Sequence, residues 1–334
     1  MMKKEDLRII FMGTPEFAVE TLRALVENGY QVVAVVTQPD KPVGRHGSVL
    51  QPSPVKQFSV QHGLPVLQPA KMKDPDFVEQ LRSYHANLQV VVAFRMLPEV
   101  VWGMPEYGTF NVHAALLPQY RGAAPINWAV INGETETGVT TFFLDHDIDT
   151  GRIIMQKRFA VPDDADVEYV YDGLMHLGAE ICLETLELIV AADGHPEATA
   201  QDDSQFTVLN AQLKPAPKIF KETCEIDWHM TAKQVYDFVR GLSPYPGAWT
   251  TLVNSEGKKT VLKIFKTCKT ARACSAPGAI NVEGKHLYIG TADEELEILE
   301  LQMEGKKRMS AADFLNGMRE KIKNEIIFHS KYNK

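Results

Sequence analysis

The stretch LRIIFMGTPEFAVETLRALVENGYQVVAVVTQPD, residues 7–40, decides the fold. Its first apolar run ends at Gly13, a segment with helical spacing of apolar residues begins near Pro15, and Gly29 follows the end of that segment. The second apolar run, QVVAVV, is continuous rather than alternating. Continuous apolar strands on either side of a helix predict parallel strands that are covered on both faces.

The same alternation continues along the first half of the chain. PSPVKQFSVQHG and PDFVEQLRSYHA read as helices, LQVVVAF and GTFNVHAAL as strands, and another helix is expected from Pro125. GVTTFFLD and GRIIMQKRFAV are two more strand candidates, and a long amphipathic helix follows from about Val167 to Ala191. The pattern predicts an α/β fold with a Rossmann-like, doubly wound, mostly parallel sheet.

The chain changes character after DGHPEATAQDDSQFT, which is expected to be an exposed linker. Stretches rich in β-formers and Gly turns follow, such as TTLVNSEGKKTVLKIFKTCK, and they predict a small, OB-like, C-terminal β-barrel. We therefore expect a Rossmann-like domain over residues 1–192, a linker over 193–212 and a barrel domain over 213–334.

Composition and short motifs count against several classes of protein. The 334 residues are enough for two hydrophobic cores. The N-terminus lacks a signal-peptide core and no apolar run approaches the roughly 20 residues that span a bilayer, so a cytoplasmic protein without membrane contact is expected. The four cysteines form no CxxC pair, and DHDIDTG lacks the Gly and the last carboxylate of a calcium loop, so no metal is expected.

The net charge of −8 hides an asymmetry between the two parts of the chain. From Ala211 onward there are 20 basic and 15 acidic residues, which leaves 15 of the 35 basic and 28 of the 43 acidic residues before it. A basic C-terminal part on an acidic chain is typical of a nucleic-acid-binding domain, and an ordinary solvated surface is the alternative.

FMGTPEF follows the first strand, where a dinucleotide-binding loop would lie, but it has one glycine where GxGxxG has three. The fold alone would suggest a hydride-transfer enzyme. The missing glycines count against NAD, because a side chain there hinders the close approach of a pyrophosphate to the backbone.

Three polar residues form the constellation most suited to chemistry. Asn111 and His113 lie two apart on one strand, so their side chains share a face of the sheet, and Asp149 follows in a loop that should open at the same edge. An amide can donate to an oxyanion, a His can exchange a proton near neutral pH, and a carboxylate can orient the His. We expect an exposed cleft position for His113 and an acyl-transfer site without its own nucleophile; buried structural roles for the trio are the alternative.

These residues resemble a known family. NVHAALLPQYRGAAPINWA with LDHDIDTG is similar to the signature of the 10-formyltetrahydrofolate-dependent formyltransferases. TQPDKPVGR with PSPVK resembles the loop inserted in the methionyl-tRNA formyltransferases, and KPAPKIFKETCEIDW with GLSPYPGAW resembles the start of their C-terminal domain. The resemblance extends over nearly the whole chain.

The resemblance implies an activity and a set of contacts. A formyl group would pass from 10-formyltetrahydrofolate to the amine of methionyl initiator tRNA. Apart from the resemblance, we expect a monomer. Asn111 and protonated His113 would stabilise the tetrahedral intermediate, while Asp149 holds His113 and assists proton removal. The implied folate contacts are Phe94, Arg95, Met96 and Leu97 on one side and Asp145, Asp147 and Ile148 on the other. The implied contacts to the charged tRNA are Phe17 beside the methionine side chain, and Lys41 and Arg45 at phosphates.

The chain departs from the family's usual pattern at a few positions. Ala115 replaces the usual serine before Leu-Leu-Pro, AFRMLPE is one residue shorter than usual, and Arg152 follows Asp-Thr-Gly where an acid is commoner. None of these changes touches the trio. Two other readings stay open: a formyltransferase acting on an amino-sugar nucleotide, and a non-catalytic RNA-binding protein that has kept the fold.

Overall fold

The computed structural model describes residues 2–43, 49–203, 212–253, 257–274 and 276–317, together with the backbone of 327–329. The chain forms two compact units, each built from separate stretches. The first unit comprises Met1–Gly122, Glu136–Ala160 and Tyr171–Pro215, and the second comprises Ala123–Thr135, Val161–Val170 and Ala216–Lys334. The domain boundaries expected from the sequence divide the chain into continuous stretches, unlike these units, and they stay a prediction.

The first unit is built on a mixed sheet. Its strands are β1 (Arg8–Gly13), β2 (Gln31–Val36), β3 (Lys41–Val43), β4 (Val49–Gln51), β5 (Val66–Leu67), β6 (Leu88–Val92), β7 (Thr109–His113), β8 (Glu136–Phe143) and β9 (Ile153–Ala160). The main sheet has the order β5-β2-β1-β6-β7-β8-β9, and β3 pairs with β4 in a separate hairpin. The first five strands in this order, β5, β2, β1, β6 and β7, are parallel to one another. The strands β8 and β9 run antiparallel to their neighbours.

The helices that begin at Pro54 and Pro75 are each capped by the side chain of the residue before them. The helices of the first part of the chain are α1 (Glu16–Glu27), α2 (Pro54–Gln61), α3 (Pro75–Arg82), α4 (Glu99–Trp102), α5 (Pro125–Ile131) and α6 (Val167–Ala191), with a 3₁₀ turn at Lys4–Asp6. The Ser53 side chain accepts a hydrogen bond from the backbone of Lys56 at the start of α2. The predicted bounds of α6 and the predicted start of α5 are confirmed.

The pairing register of the parallel strands places Asn111 over the core. Met12 pairs with Val91 and Val91 pairs with Asn111, so the three side chains lie on one face. Met12 and Val91 belong to the buried cluster on that face. Asn111 therefore continues a row of apolar side chains, where a polar group has few protein partners.

The second unit contains an antiparallel sheet. Its elements after α5 are a 3₁₀ turn (Lys221–Cys224), α7 (Ala232–Gly241), β10 (Ala248–Val253), β11 (Lys259–Ala273), β12 (Ile280–Glu283), β13 (His286–Gly290), β14 (Glu294–Met303), β15 (Met309–Ser310), α8 (Ala311–Gly317) and β16 (Ile327–His329). The order is β12-β13-β14-β11-β10-β16, with β15 paired to β14. Irregular register along β11 bends that long strand, and Trp228, Ile264 and Leu296 lie in the core beside it.

The predicted fold class is confirmed: a Rossmann-like, parallel-rich α/β sheet and a C-terminal antiparallel β-domain. Within the described part of the chain, no helix has the length and apolar character that a membrane crossing requires.

Candidate active site

The loop that carries Asp149 reaches the site from an unexpected direction. Because β8 is antiparallel to β7, this loop begins beside the amino end of β7, where the Leu144 amide donates to the Thr109 carbonyl at 2.8 Å. The loop then runs back along the sheet and brings Asp149 to His113, at the other end of β7. The sequence predicts Asp149 at the edge where the site opens, and the structure puts it beside His113 there, although the antiparallel β8 starts the loop at the opposite end of β7.

His113 is held by its two ring nitrogens. Its Nε2 lies 2.9 Å from the carbonyl oxygen of Tyr120, and since a carbonyl can only accept, Nε2 carries the hydrogen. Its Nδ1 lies 3.9 Å from Asp149 Oδ2, which is an ion-pair distance for a protonated ring but too long for a hydrogen bond. Only 6% of the residue is exposed, so the expectation of an exposed cleft position was wrong. Its neighbours Tyr120, whose carbonyl binds the ring, and Phe142, whose ring lies edge-on to it at 6.3 Å, are buried as well.

The carboxylate of Asp149 is fixed independently of His113. Its Oδ2 accepts a hydrogen bond of 2.9 Å from the Gly122 amide, and 13% of the side chain is exposed. The backbone of Asp149 has φ +57°, in the left-handed region that Asp enters more readily than most residues. The carboxylate is therefore oriented from the Gly122 turn before any substrate binds.

Asn111 supplies an unsatisfied polar atom. Its Oδ1 is buried and has no hydrogen-bond partner among the described residues. Buried polar atoms in folded proteins are nearly always paired, so each exception calls for an explanation, and a missing ligand is one. The amide lies two residues before His113 on the same strand face, which places both side chains toward one site.

A threonine that sequence reasoning missed holds the segment after β7. The Thr140 hydroxyl donates to the Ala115 carbonyl at 2.7 Å and accepts from the Leu117 amide at 3.1 Å. Gln156 Nε2 donates to the same hydroxyl at 2.9 Å and to the Leu117 carbonyl at 2.8 Å. Ala115 itself is fully buried, so the position of the family's usual serine lies inside this packing. The sequence around Thr140 does not indicate that its hydroxyl binds the backbone of another loop, because that contact depends on how the strands pair.

The two segments expected to contact folate lie beside each other. Phe94 and Leu144 both pack against the cluster that contains Leu97. His146 links the segments further, because its ring lies 3.8 Å from the Glu99 carboxylate and 5.4 Å from the Trp102 ring.

The predicted folate residues differ in how accessible they are. Met96 and Ile148 are exposed apolar side chains, with 70% and 57% of each accessible, whereas Leu97 is buried. Arg95 donates to the carbonyls of Pro69 and Ala70, and burial lowers the pKa of its guanidinium from the ordinary value. Asp145 accepts from the Thr150 hydroxyl at 2.7 Å and from the Asp147 amide at 3.1 Å, so this carboxylate shapes its own loop.

Phe17 lies apart from the trio. It is buried, packs edge-on against Tyr171 at 5.3 Å, and donates its backbone N–H to the Tyr171 hydroxyl. Gly178 lies between the Phe17 ring and the Val112 side chain, because a Cβ at this position would contact both. Val112 alternates with Asn111 and His113 along β7, so its side chain points to the other face of the sheet. A contact between Phe17 and methionine stays a prediction, and the structure places the ring on the opposite face of β7.

The predicted phosphate contacts lie on the β3–β4 hairpin. Lys41 is exposed on β3, where it pairs with Gln51. Arg45 lies outside the described residues.

The geometry of the trio suits group transfer. It brings together a ring nitrogen that can hold a proton, a carboxylate that stabilises the charged ring, and an amide with an unused polar atom. The Rossmann-like fold and this site define an enzyme of the acyl-transfer class. The formyl transferase family matches residues 7–186, and its C-terminal domain matches residues 218–319. The chain belongs to the formyl transferase family, and the resemblance identified in the sequence is confirmed.

Individual relatives agree with this family. A methionyl-tRNA formyltransferase from Parabacteroides distasonis is 60% identical over 321 residues, which cover 96% of this chain and 98% of that protein. Among solved structures, HypX from Aquifex aeolicus, in complex with tetrahydrofolic acid, matches with a TM-score of 0.60 at 20% identity over 94% of this chain and 48% of that chain. This chain thus spans about half of HypX. An N-formyltransferase from Helicobacter canadensis, in complex with folinic acid and dTDP-3-aminofucose, matches with a TM-score of 0.60 at 17% identity over 89% of this chain and 99% of that chain. At such identities the two structures show a common fold.

Proposed function

We propose that the protein transfers the formyl group of 10-formyltetrahydrofolate to the amino group of methionyl initiator tRNA. The observation that carries the chemistry is His113 Nδ1 facing Asp149 at 3.9 Å, with the unpaired Oδ1 of Asn111 on the same strand face. The choice of acceptor is supported by the 60% identity to a methionyl-tRNA formyltransferase over nearly the full length of both chains. The choice of donor is supported by family membership and by folate compounds in two proteins of the same fold.

The reaction forms one bond and breaks one. The amine nitrogen attacks the formyl carbon, the carbonyl oxygen becomes an oxyanion in the tetrahedral intermediate, and the bond from carbon to the folate nitrogen then breaks. The amine loses a proton and the departing folate nitrogen gains one, so the overall charge balances. In this proposal Nδ2 of Asn111 and protonated His113 donate hydrogen bonds to the oxyanion, while the unpaired Oδ1 of Asn111 accepts one from the attacking amine.

The hydrogen bond to Tyr120 decides which nitrogen of His113 takes part. Because Nε2 is committed to that carbonyl, Nδ1 is the atom that gains or loses a proton. Asp149 is too far from Nδ1 for a hydrogen bond, so the proton on Nδ1 stays available for substrate, while the carboxylate still stabilises the charged ring. Asp149 also assists removal of the proton from the amine.

The test measures formyl transfer from 10-formyltetrahydrofolate to three parallel acceptors: methionyl initiator tRNA, the same tRNA uncharged, and a dTDP-linked amino sugar. We expect product with the charged tRNA alone. Product with the amino sugar alone would keep the chemistry and overturn the acceptor. No product with any acceptor would contradict the proposed activity and favour a non-catalytic RNA-binding protein.

A further inference from the structure

The stretch expected to be an exposed linker is attached to the loop that carries Asp149. Thr199 exchanges two backbone hydrogen bonds of 2.8 Å with Ile153, the first residue of β9. Arg152 Nε donates to the Ala198 carbonyl at 2.8 Å. The sequence predicts an exposed linker here, and most of residues 193–203 are exposed, but the backbone of this stretch is also hydrogen-bonded to the start of β9.

Gln201 is the side chain that spans the Asp149 turn. Its Nε2 donates to the carbonyl oxygens of both Asp149 and Gly151 at 2.8 Å each. These two carbonyls flank Thr150, immediately after the residue with φ +57°. One amide group therefore bridges the turn and opposes any change in the backbone angle that aims the Asp149 carboxylate.

Arg121 fixes the other end of the Gln201 amide. Its guanidinium donates to Gln201 Oε1 from Nε at 3.1 Å and from Nη2 at 2.6 Å. It also forms two hydrogen bonds of 2.9 Å with the Asp203 carboxylate. The orientation of the Gln201 amide is thereby set, since an arginine can only donate and a carbonyl can only accept.

The two supports of Asp149 meet at adjacent residues. Gly122, which binds the Asp149 carboxylate, directly follows Arg121, which holds the amide that binds the Asp149 carbonyl. We infer that Gln201 is a positioning residue, which acts with Arg121 to hold the Asp149 carboxylate opposite His113. The inference rests on the proposed function, because it assigns Gln201 an effect on catalysis through Asp149.

The first experiment compares Gln201→Ala and Gln201→Glu with the wild type. The Glu variant keeps the shape and the acceptor for Arg121 but cannot donate to the two carbonyls. We expect both variants to lower kcat about 10- to 100-fold, as a misplaced group near the reacting atoms does, with KM for each substrate changed less than about threefold. Gln57→Ala is the matched control, since Gln57 also donates its amide to a backbone carbonyl, that of Pro52 on an exposed surface, and it should keep the wild-type kcat.

A double-mutant cycle separates positioning from general stability. If Gln201 acts through Asp149, then Gln201→Ala should change kcat less than about twofold in an Asp149→Ala background. An undiminished loss in that background, or a single variant with kcat within about twofold of the wild type, would overturn the inference.

Hydrogen–deuterium exchange keeps the two proposals distinguishable. Peptides covering residues 145–153 should exchange faster in Gln201→Ala than in the wild type, and those covering α3 should not. A wild type that transfers no formyl group would refute the proposed function alone, while unchanged exchange over 145–153 would refute the role of Gln201 whatever the activity.

Discussion

His113 and Tyr120 are joined by a hydrogen bond of 2.9 Å from the imidazole Nε2 to the backbone carbonyl, across seven residues of chain. The bond assigns the hydrogen of the neutral ring to Nε2 and leaves Nδ1 toward Asp149. One backbone contact, made by the turn after β7, thus selects the nitrogen that is available for proton transfer.

Replacing His113 tests whether that nitrogen is needed. His113→Ala should lower kcat by about 10²- to 10⁴-fold, the range of general acid–base contributions. It should also destabilise the protein by about 1–3 kcal/mol, because the buried Tyr120 carbonyl loses a donor. Steady-state kinetics and urea unfolding check the two effects. A kcat above roughly a tenth of the wild-type value would argue against the catalytic role.

Asp149→Asn isolates the negative charge of the carboxylate. Asn tolerates a positive φ and can still accept from the Gly122 amide, so the fold should be retained and the melting temperature should change little. The kcat should fall at least about tenfold, because the protonated imidazole loses its counter-charge. A neutral variant with wild-type kcat would show that the charge is dispensable.

Thr140→Val tests the clamp on the segment after β7. The variant keeps the shape but leaves the Leu117 amide and the Ala115 carbonyl without this partner, so it should cost about 1–3 kcal/mol of unfolding free energy. Thr21→Val is the matched control, because the Thr21 hydroxyl is also buried but has no hydrogen-bond partner among the described residues. Equal stability losses in the two variants would contradict a specific role for the Thr140 hydroxyl.

Lys41→Ala tests the predicted contact with phosphates. Binding of methionyl initiator tRNA should weaken steeply as salt rises, and removing one phosphate contact should reduce the slope of log K against log salt by about 1. Lys3→Ala is the control, since exposed Lys3 precedes β1 at the amino end of the parallel strands. If the affinity for the tRNA did not depend on salt, the prediction that basic residues of this protein contact its phosphates would be wrong.

The stability of the protein should depend on pH through Asp40, which lies next to β3 of the β3–β4 hairpin. The Lys56 ammonium, at 2.6 Å, and then the Gln68 amide, at 2.7 Å, lower the pKa of Asp40. Because its pKa is lowered in the folded state, Asp40 stabilises the protein at pH values above its unfolded-state pKa of about 3.9. This contribution is lost as the pH falls through the folded-state pKa.

Lys56→Met provides the check on Asp40. NMR titration should show a higher pKa for Asp40 in the variant. Unfolding experiments should find the variant less stable than the wild type near pH 6 and show a smaller difference below pH 3. A difference that stays constant across this range would contradict the assignment.

Local patterns were sufficient for much of the fold. The first β-α-β unit follows from apolar runs punctuated by Gly13 and Pro15, and the periodicity of α6 gave both of its ends. The spacing of Asn111 and His113 placed both side chains on one face because alternation along a strand depends only on neighbouring residues.

The sequence by itself therefore determined the longer helices and strands of the first unit, the fold class and the choice of Asn111, His113 and Asp149 as candidates, but not the short elements β3, β4, β5 and α4. Only the tertiary structure decided that β8 is antiparallel, which turns the Asp149 loop back along the sheet, and that Gln201 binds that loop from 50 residues further on. Helix and strand preferences arise from residues a few positions apart, whereas these contacts depend on how distant strands pair, and no short stretch of sequence specifies that pairing.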